Sequence, residues 1–156
     1  MNIKTTRFGE LEVPEDCIMI FADGLPGFPD ETQYAVFPYE AESPFSIMQS
    51  VSNPDLTFLL ADPYRFFNDY AFELDDSMAK ERGFTAENPP LVYTVATMRD
   101  TLEQMTVNLL APIIINWPKR TGAQIIIENK YYSVQQLLFP EGIKVKPVPK
   151  ENGRGG

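Results

Sequence analysis

The chain has no histidine, a single cysteine and, between Phe8 and Tyr64, no lysine or arginine. Without histidine there is no Ser-His-Asp or Cys-His pair to activate a nucleophile, and no zinc site of the usual Cys/His kind. One cysteine cannot close an internal disulfide. Cys17 sits in the apolar run CIMIF and is expected to be a buried structural thiol. The opening segment MNIKTTRFGE lacks an apolar stretch, so no signal peptide is expected. The longest apolar runs are strand-sized and too short for a membrane span. Together these absences point to a cytoplasmic protein with no membrane partner. Phosphate-cradling glycine loops of the nucleotide-binding kinds are also missing. Gly24–Phe28 (GLPGF) contains Pro26 and runs into Pro29 and Asp30, which would repel a phosphate. It reads as a turn whose glycines serve backbone shape, and no cofactor is expected.

What is present is a chain of 156 residues, 44% of them hydrophobic, enough for one globular domain with a real core. Its net charge is −9. Eleven acids fall in Phe8–Tyr64: Glu10, Glu12, Glu15, Asp16, Asp23, Asp30, Glu31, Glu40, Glu42, Asp55 and Asp62. From Lys119 onward seven basic residues outweigh three acids. An anionic N-terminal third disfavours direct nucleic-acid binding. It serves either as a solvated face that keeps the protein soluble or as a docking surface for a basic protein.

Strand-like runs dominate. PFSIMQSVS alternates and reads as a half-buried strand with Phe45, Ile47, Gln49 and Val51 on the mainly apolar face. DLTFLLA, YAFEL and LVYTVATM read as further strands. In TVNLLAPIIIN, Val107, Leu109, Ala111, Ile113 and Ile115 share a face, and Pro112 marks an edge or a bulge. WPKRTG is the turn, and AQIIIE returns as the paired strand, with Ile125 and Ile127 facing the core. One helix is predicted near Asp75–Gly83, capped by Asp75, Asp76 or Ser77 and ended by Gly83. RFFND, after Asp62-Pro63, fits one helical turn. Fourteen prolines in short turns suit tight corners. The fold class is therefore all-β: a small antiparallel β-barrel-like domain with one or two short helices, spanning residues 1–140. Residues 141–156 form a Pro/Lys/Gly-rich tail expected to be partly disordered.

Few residues offer chemistry. The adjacent carboxylates Asp75 and Asp76 are better explained by helix capping than by acid/base work. Phe66 and Phe67, beside Tyr64 and Tyr70, read as packing rather than as an exposed binding cluster. Asn108 and Asn116 read as structural amides that tie down the bulge at Pro112. Trp117, at the turn, is a partner-binding candidate unless it packs beneath it. Asn53, Pro54 and Asp55 form a turn with strong exposure signals, and Glu40 and Glu42 belong to the anionic stretch. These six are the candidate partner-binding residues.

GLPGF at Gly24–Phe28, SPF at Ser43–Phe45, QSVSNPD at Gln49–Asp55 and NLLAPIIIN at Asn108–Asn116 resemble the FliW family of flagellar assembly factors. Arg120, Gly122, Gln124 and Tyr132-Ser133 continue the pattern, so the resemblance covers nearly the whole domain. It implies a non-enzymatic bacterial protein that binds flagellin before export. When free of flagellin, such a protein binds and antagonises CsrA, an RNA-binding repressor of flagellin translation. It implies no cofactor, and the expectation is a monomer when alone. Two other classes fit the residues themselves: a small-ligand-binding β-barrel, and an enzyme working with carboxylates alone.

Overall fold

The computed structural model describes residues 1–141. The expected tail lies, apart from Glu141, outside them. The strands are β1 (Asn2–Thr5), β2 (Gly9–Glu12), β3 (Ile18–Ile20), β4 (Gln33–Pro38), β5 (Phe45–Ser50) and β6 (Thr57–Ala61). They are followed by helix α1 (Asp76–Arg82), then β7 (Leu91–Thr97), β8 (Thr106–Val107), β9 (Ile113–Asn116), β10 (Thr121–Gln124) and β11 (Gln136–Leu137). Short 3-10 turns occur at Glu15–Cys17, Pro63–Arg65 and Leu102–Gln104.

β3, β4, β5, β6, β7, β9 and β10 are hydrogen-bonded in that order, and β10 returns to β3. This closes a seven-stranded barrel. Every pairing in it is antiparallel except the closing one, where Thr121 faces Ile20 in parallel. β8 and β11 extend the sheet beyond β7, and β1–β2 form a separate hairpin.

Three cores result. The barrel interior is filled by Met19, Phe21, Tyr34, Val36, Met48, Leu60, Ile113 and Ile115. Outside it, Ile3 and Val13, at the ends of the β1–β2 hairpin, pack on Ile18 and Ala35. A third core joins Ala61, Ala96 and Ile114 of the sheet to Tyr70, Phe84, Met105, Leu109, Ile125, Ile127 and Leu138. Strands with a core on each side need no polar face. β9 is buried at all four positions, and Ile47, Met48, Gln49 and Ser50 of β5 are buried too. β5 is thus not the half-buried strand expected: Met48 points into the barrel, and Ile47 is covered on the other side.

The Pro112 segment is a large bulge. Val107 faces Ala96 and Ile113 faces Tyr93, so five residues (108–112) stand opposite only Thr94 and Val95. Asn108 holds it: its Oδ1 accepts from the amides of Leu110 (3.1 Å) and Ala111 (3.0 Å). The return strand begins earlier than AQIIIE suggests, at Thr121. Beyond Gln124 it pairs with the bulge through Ile125 N–H to Pro112 O (3.0 Å) and Ile127 N–H to Leu110 O (2.9 Å). Ile125 and Ile127 face the core as expected, while Ile126 between them is exposed.

YAFEL is not a strand. Tyr70 donates its hydroxyl to Leu109 O (2.8 Å), and the Tyr132 hydroxyl takes both the N–H and the C=O of Ala71 (2.9 and 3.1 Å). Side chains satisfy the backbone where a ladder would have done so. The helix forms where expected: Asp75 accepts from Ser77 N–H (2.8 Å) and Gly83 ends it in the left-handed region at φ +80°. The helical turn near RFFND starts earlier, at Pro63, with Asp62 as its cap. Gly24 is required by the fold, since a Cβ there would lie 2.6 Å from Pro29 O. Cys17 is half-buried rather than buried, and burial, with the neighbouring Asp16 charge, pushes its thiol pKa up, which disfavours the thiolate.

Candidate protein-docking surfaces

The turn Asn53-Pro54-Asp55 joins β5 to β6 and is built from beneath. Gln49, fully buried, donates its side-chain amide to the carbonyls of Ser50 (3.2 Å), Asn53 (3.2 Å) and Pro54 (3.3 Å), and accepts from the Thr57 hydroxyl. Asn53 Oδ1 accepts from Asp55 N–H (3.0 Å), closing the turn on itself. Thr6, in the β1–β2 turn, donates its N–H to Pro54 O (2.9 Å) and its hydroxyl to Asp55. Glu31 accepts from the hydroxyls of Ser50 and Ser52, both at 2.7 Å, and these bonds hold its carboxyl below the usual range. The result is a preformed loop with Pro54 and Asp55 exposed and Asn53 half-buried.

Glu40 and Glu42 lie in the β4–β5 loop, exposed, with Glu42 at φ +60° and its carbonyl taken by Arg65 (3.2 Å). β5 separates them from Asp55 by its full length of six residues, about 20 Å. The acidic candidates therefore form two surfaces at opposite ends of a strand, not one patch. Of the eleven acids in Phe8–Tyr64, nine are exposed and only Glu31 and Asp62 are half-buried, so nearly all the carboxylates of this stretch are open to solvent, although spread over several loops.

Trp117 is half-buried and packs against the barrel core beneath its turn. It is separate from both acidic loops in the sequence of elements and makes no part of either.

One concave feature was not anticipated. A groove of about 940 Å³ runs along β5, β6 and β7. Phe45, Ile47 and Leu59 line its floor, with Phe8 and Tyr39 at one side and Met98, Leu102 and Met105 at the other. Phe8, Tyr39, Met98 and Leu102 are among the exposed large hydrophobic residues of the molecule. Sequence reasoning could not find it, because its residues come from six separate segments. Exposed large hydrophobic residues gathered around one groove make it a candidate protein or ligand site. The barrel interior, by contrast, is filled by Phe21, Tyr34 and Met48 among other buried side chains. Among the described residues the Tyr34 hydroxyl has no hydrogen-bond partner, and burial, with the charge of Glu31, pushes its pKa up to about 12.

The FliW protein family model matches residues 2–138. The chain belongs to the FliW family. A relative from Desulfitobacterium hafniense, the flagellar assembly factor FliW, is 47% identical over 141 residues, covering 90% of this chain and 93% of the relative. The flagellar assembly factor FliW of Heliobacterium modesticaldum is 35% identical over all of this chain and 99% of the relative. A crystal structure of the flagellar assembly factor FliW superposes with a TM-score of 0.80 at 37% identity, over 92% of this chain and 100% of the other. The barrel of this chain thus has two covered outer faces, while its acidic loops and the apolar groove remain open to solvent. Among the described residues no helix is long and apolar enough to cross a membrane.

Proposed function

We propose that this FliW-family chain acts in the cytoplasm as a non-catalytic coupling protein. It binds flagellin before export and, when free of flagellin, binds and antagonises a CsrA-type RNA-binding repressor, so that flagellin synthesis resumes. The observation that carries this reading is the apolar groove along β5–β7 in a protein whose N-terminal third is a solvent-exposed anion. Two chemically different surfaces suit two chemically different partners. Apolar faces of flagellin's terminal segments, which are buried on filament assembly, match the groove. A basic repressor matches the acidic loops around Glu40, Glu42 and Asp55. The chain itself then has no need to touch RNA or membrane.

The test is binding of each purified partner to the wild type and to Tyr39→Asp/Met98→Asp, both exposed groove positions. Flagellin affinity should fall at least tenfold while the repressor still binds. Unchanged flagellin binding would remove the groove from its site, and failure of the wild type to bind either partner would overturn the reading.

A further inference from the structure

The mouth of the barrel carries a second concavity, of about 320 Å³. Leu25, Phe58 and Val95, which pack on the barrel core, form its apolar wall. It lies where the bulge at residues 108–112 opens the sheet opposite Val95. Phe58, Val95 and Thr97 are shared with the β5–β7 groove, but the other lining residues give a different chemistry. Thr97 and Thr106 stand opposite one another in the β7–β8 register, so their side chains share a face. Neither hydroxyl has a hydrogen bond among the described residues. Asn108 Oδ1 is taken by the amides of Leu110 and Ala111, which leaves its Nδ2 free to donate to a ligand. Gln124, on the far side of the bulge, is fixed by its Nε2 bond to Ala111 O at 2.9 Å. Arg99 is the one charged side chain in the lining, and it has no ion pair among the described residues. Asp23 and Asp100, the carboxylates beside the lining segments, are exposed and stand outside it.

In a chain of net charge −9, a concavity lined by one cation, neutral N–H and O–H donors and no carboxylate is the opposite of its surroundings. Those donors complement a carboxylate, whose two oxygens a guanidinium can meet with parallel N–H groups. The apolar wall calls for an organic body as well, since a bare phosphate or sulfate would leave Phe58 and Val95 uncovered. The volume is at the low end of the range for small-molecule sites, about 300–1,000 Å³, and barrel mouths are a usual place for them. We infer that the barrel mouth binds a small monocarboxylate with a compact apolar body. Arg99, Asn108 and Thr106 hold its carboxylate, and Phe58 and Val95 cover its body. Binding there requires neither flagellin nor the repressor.

The experiment is titration of the full-length chain with isovalerate and with benzoate, followed by NMR of the Val95 and Val134 methyls and the Asn108 side-chain amide, all at the cavity. Saturable shifts of these signals are expected with at least one of the two acids. Isovaleramide and benzamide, which keep the shape and lose the charge, should bind at least tenfold more weakly, and so should inorganic phosphate. Arg99 is exposed, so Arg99→Gln should keep the fold while weakening the bound acid at least tenfold. No saturable shift with either acid would overturn the inference. So would amides or phosphate that bind as well as the acids, or an Arg99→Gln chain with unchanged affinity.

Discussion

Asn116 donates its side-chain amide to the carbonyl of Arg82 at 2.8 Å, tying the end of β9 to the last turn of α1. Its Oδ1 accepts from Lys119 N–H and from the Asn88 side chain, both at 3.2 Å. One buried amide thereby satisfies an orphan carbonyl of the helix, shapes the β9–β10 turn and anchors the loop before β7. Asn116→Leu leaves those groups unpaired and should cost about 1–3 kcal/mol in urea denaturation, with partner affinities unchanged below the transition.

Ile113 and Ile125 serve different cores, the barrel interior and the layer outside it. Alanine at either should lower stability by about 2–5 kcal/mol. Both variants should lose the two partners together, and only as far as they unfold. A well-folded Ile125→Ala chain that had lost one partner alone would make the return strand a binding surface.

Glu31 gives stability a pH dependence. Its folded-state pKa is lowered by hydrogen bonds from Ser50 and Ser52, so this contribution is complete above its ordinary value of 4.5. It fades as pH falls from there through the lowered folded-state value. Glu31→Gln should show a shallower loss of stability on acidification in that window, measured by thermal melts at a series of pH values. Identical acid limbs for both chains would show that the two hydroxyls do nothing for the carboxylate.

The Asn53–Asp55 loop is held from below by Gln49, so its tip can be altered without dismantling it. Asn53→Ala with Asp55→Lys removes the Asn53 cap and the Thr6 contact, about 1 kcal/mol each, and should keep the fold while weakening at least one partner. Equal affinity for both partners would assign the loop to structure alone.

Electrostatic steering should distinguish the two complexes. Salt screens exposed charges over about 8 Å at physiological ionic strength, so raising it should slow association of the repressor more than that of flagellin. Because β5 separates Glu40 and Glu42 from Asp55, the two ends are tested separately. Glu40→Gln/Glu42→Gln and Asp55→Asn should each reproduce part of the salt effect, with small equilibrium changes, since exposed pairs contribute about 0–1 kcal/mol. A repressor on-rate flat with salt would return the acidic stretch to the role of keeping the protein soluble.

The sequence by itself determined the all-β class, the capped helix at Asp76–Arg82, the turn at Gly24–Phe28 and the anionic N-terminal third. Each is written in local chemistry: a side-chain oxygen before a helix, a glycine where φ must be positive, charges counted along the chain. Motif order also carried the family. Tertiary structure alone decided how many faces each strand buries. PFSIMQSVS reads as half-polar because its serines look solvent-facing, yet Ser50 is buried by its contact with Glu31 and Met48 by the barrel. YAFEL has strand periodicity, but the hydroxyl of Tyr132, 61 residues away, takes the backbone groups of Ala71. The groove was equally illegible, since Phe8, Tyr39, Leu59 and Met98 look like ordinary isolated hydrophobics until closure of the barrel brings them together. Periodicity reports what one segment can bury. Which surfaces remain uncovered depends on what every other segment has already covered, and that is fixed only when the whole chain has folded.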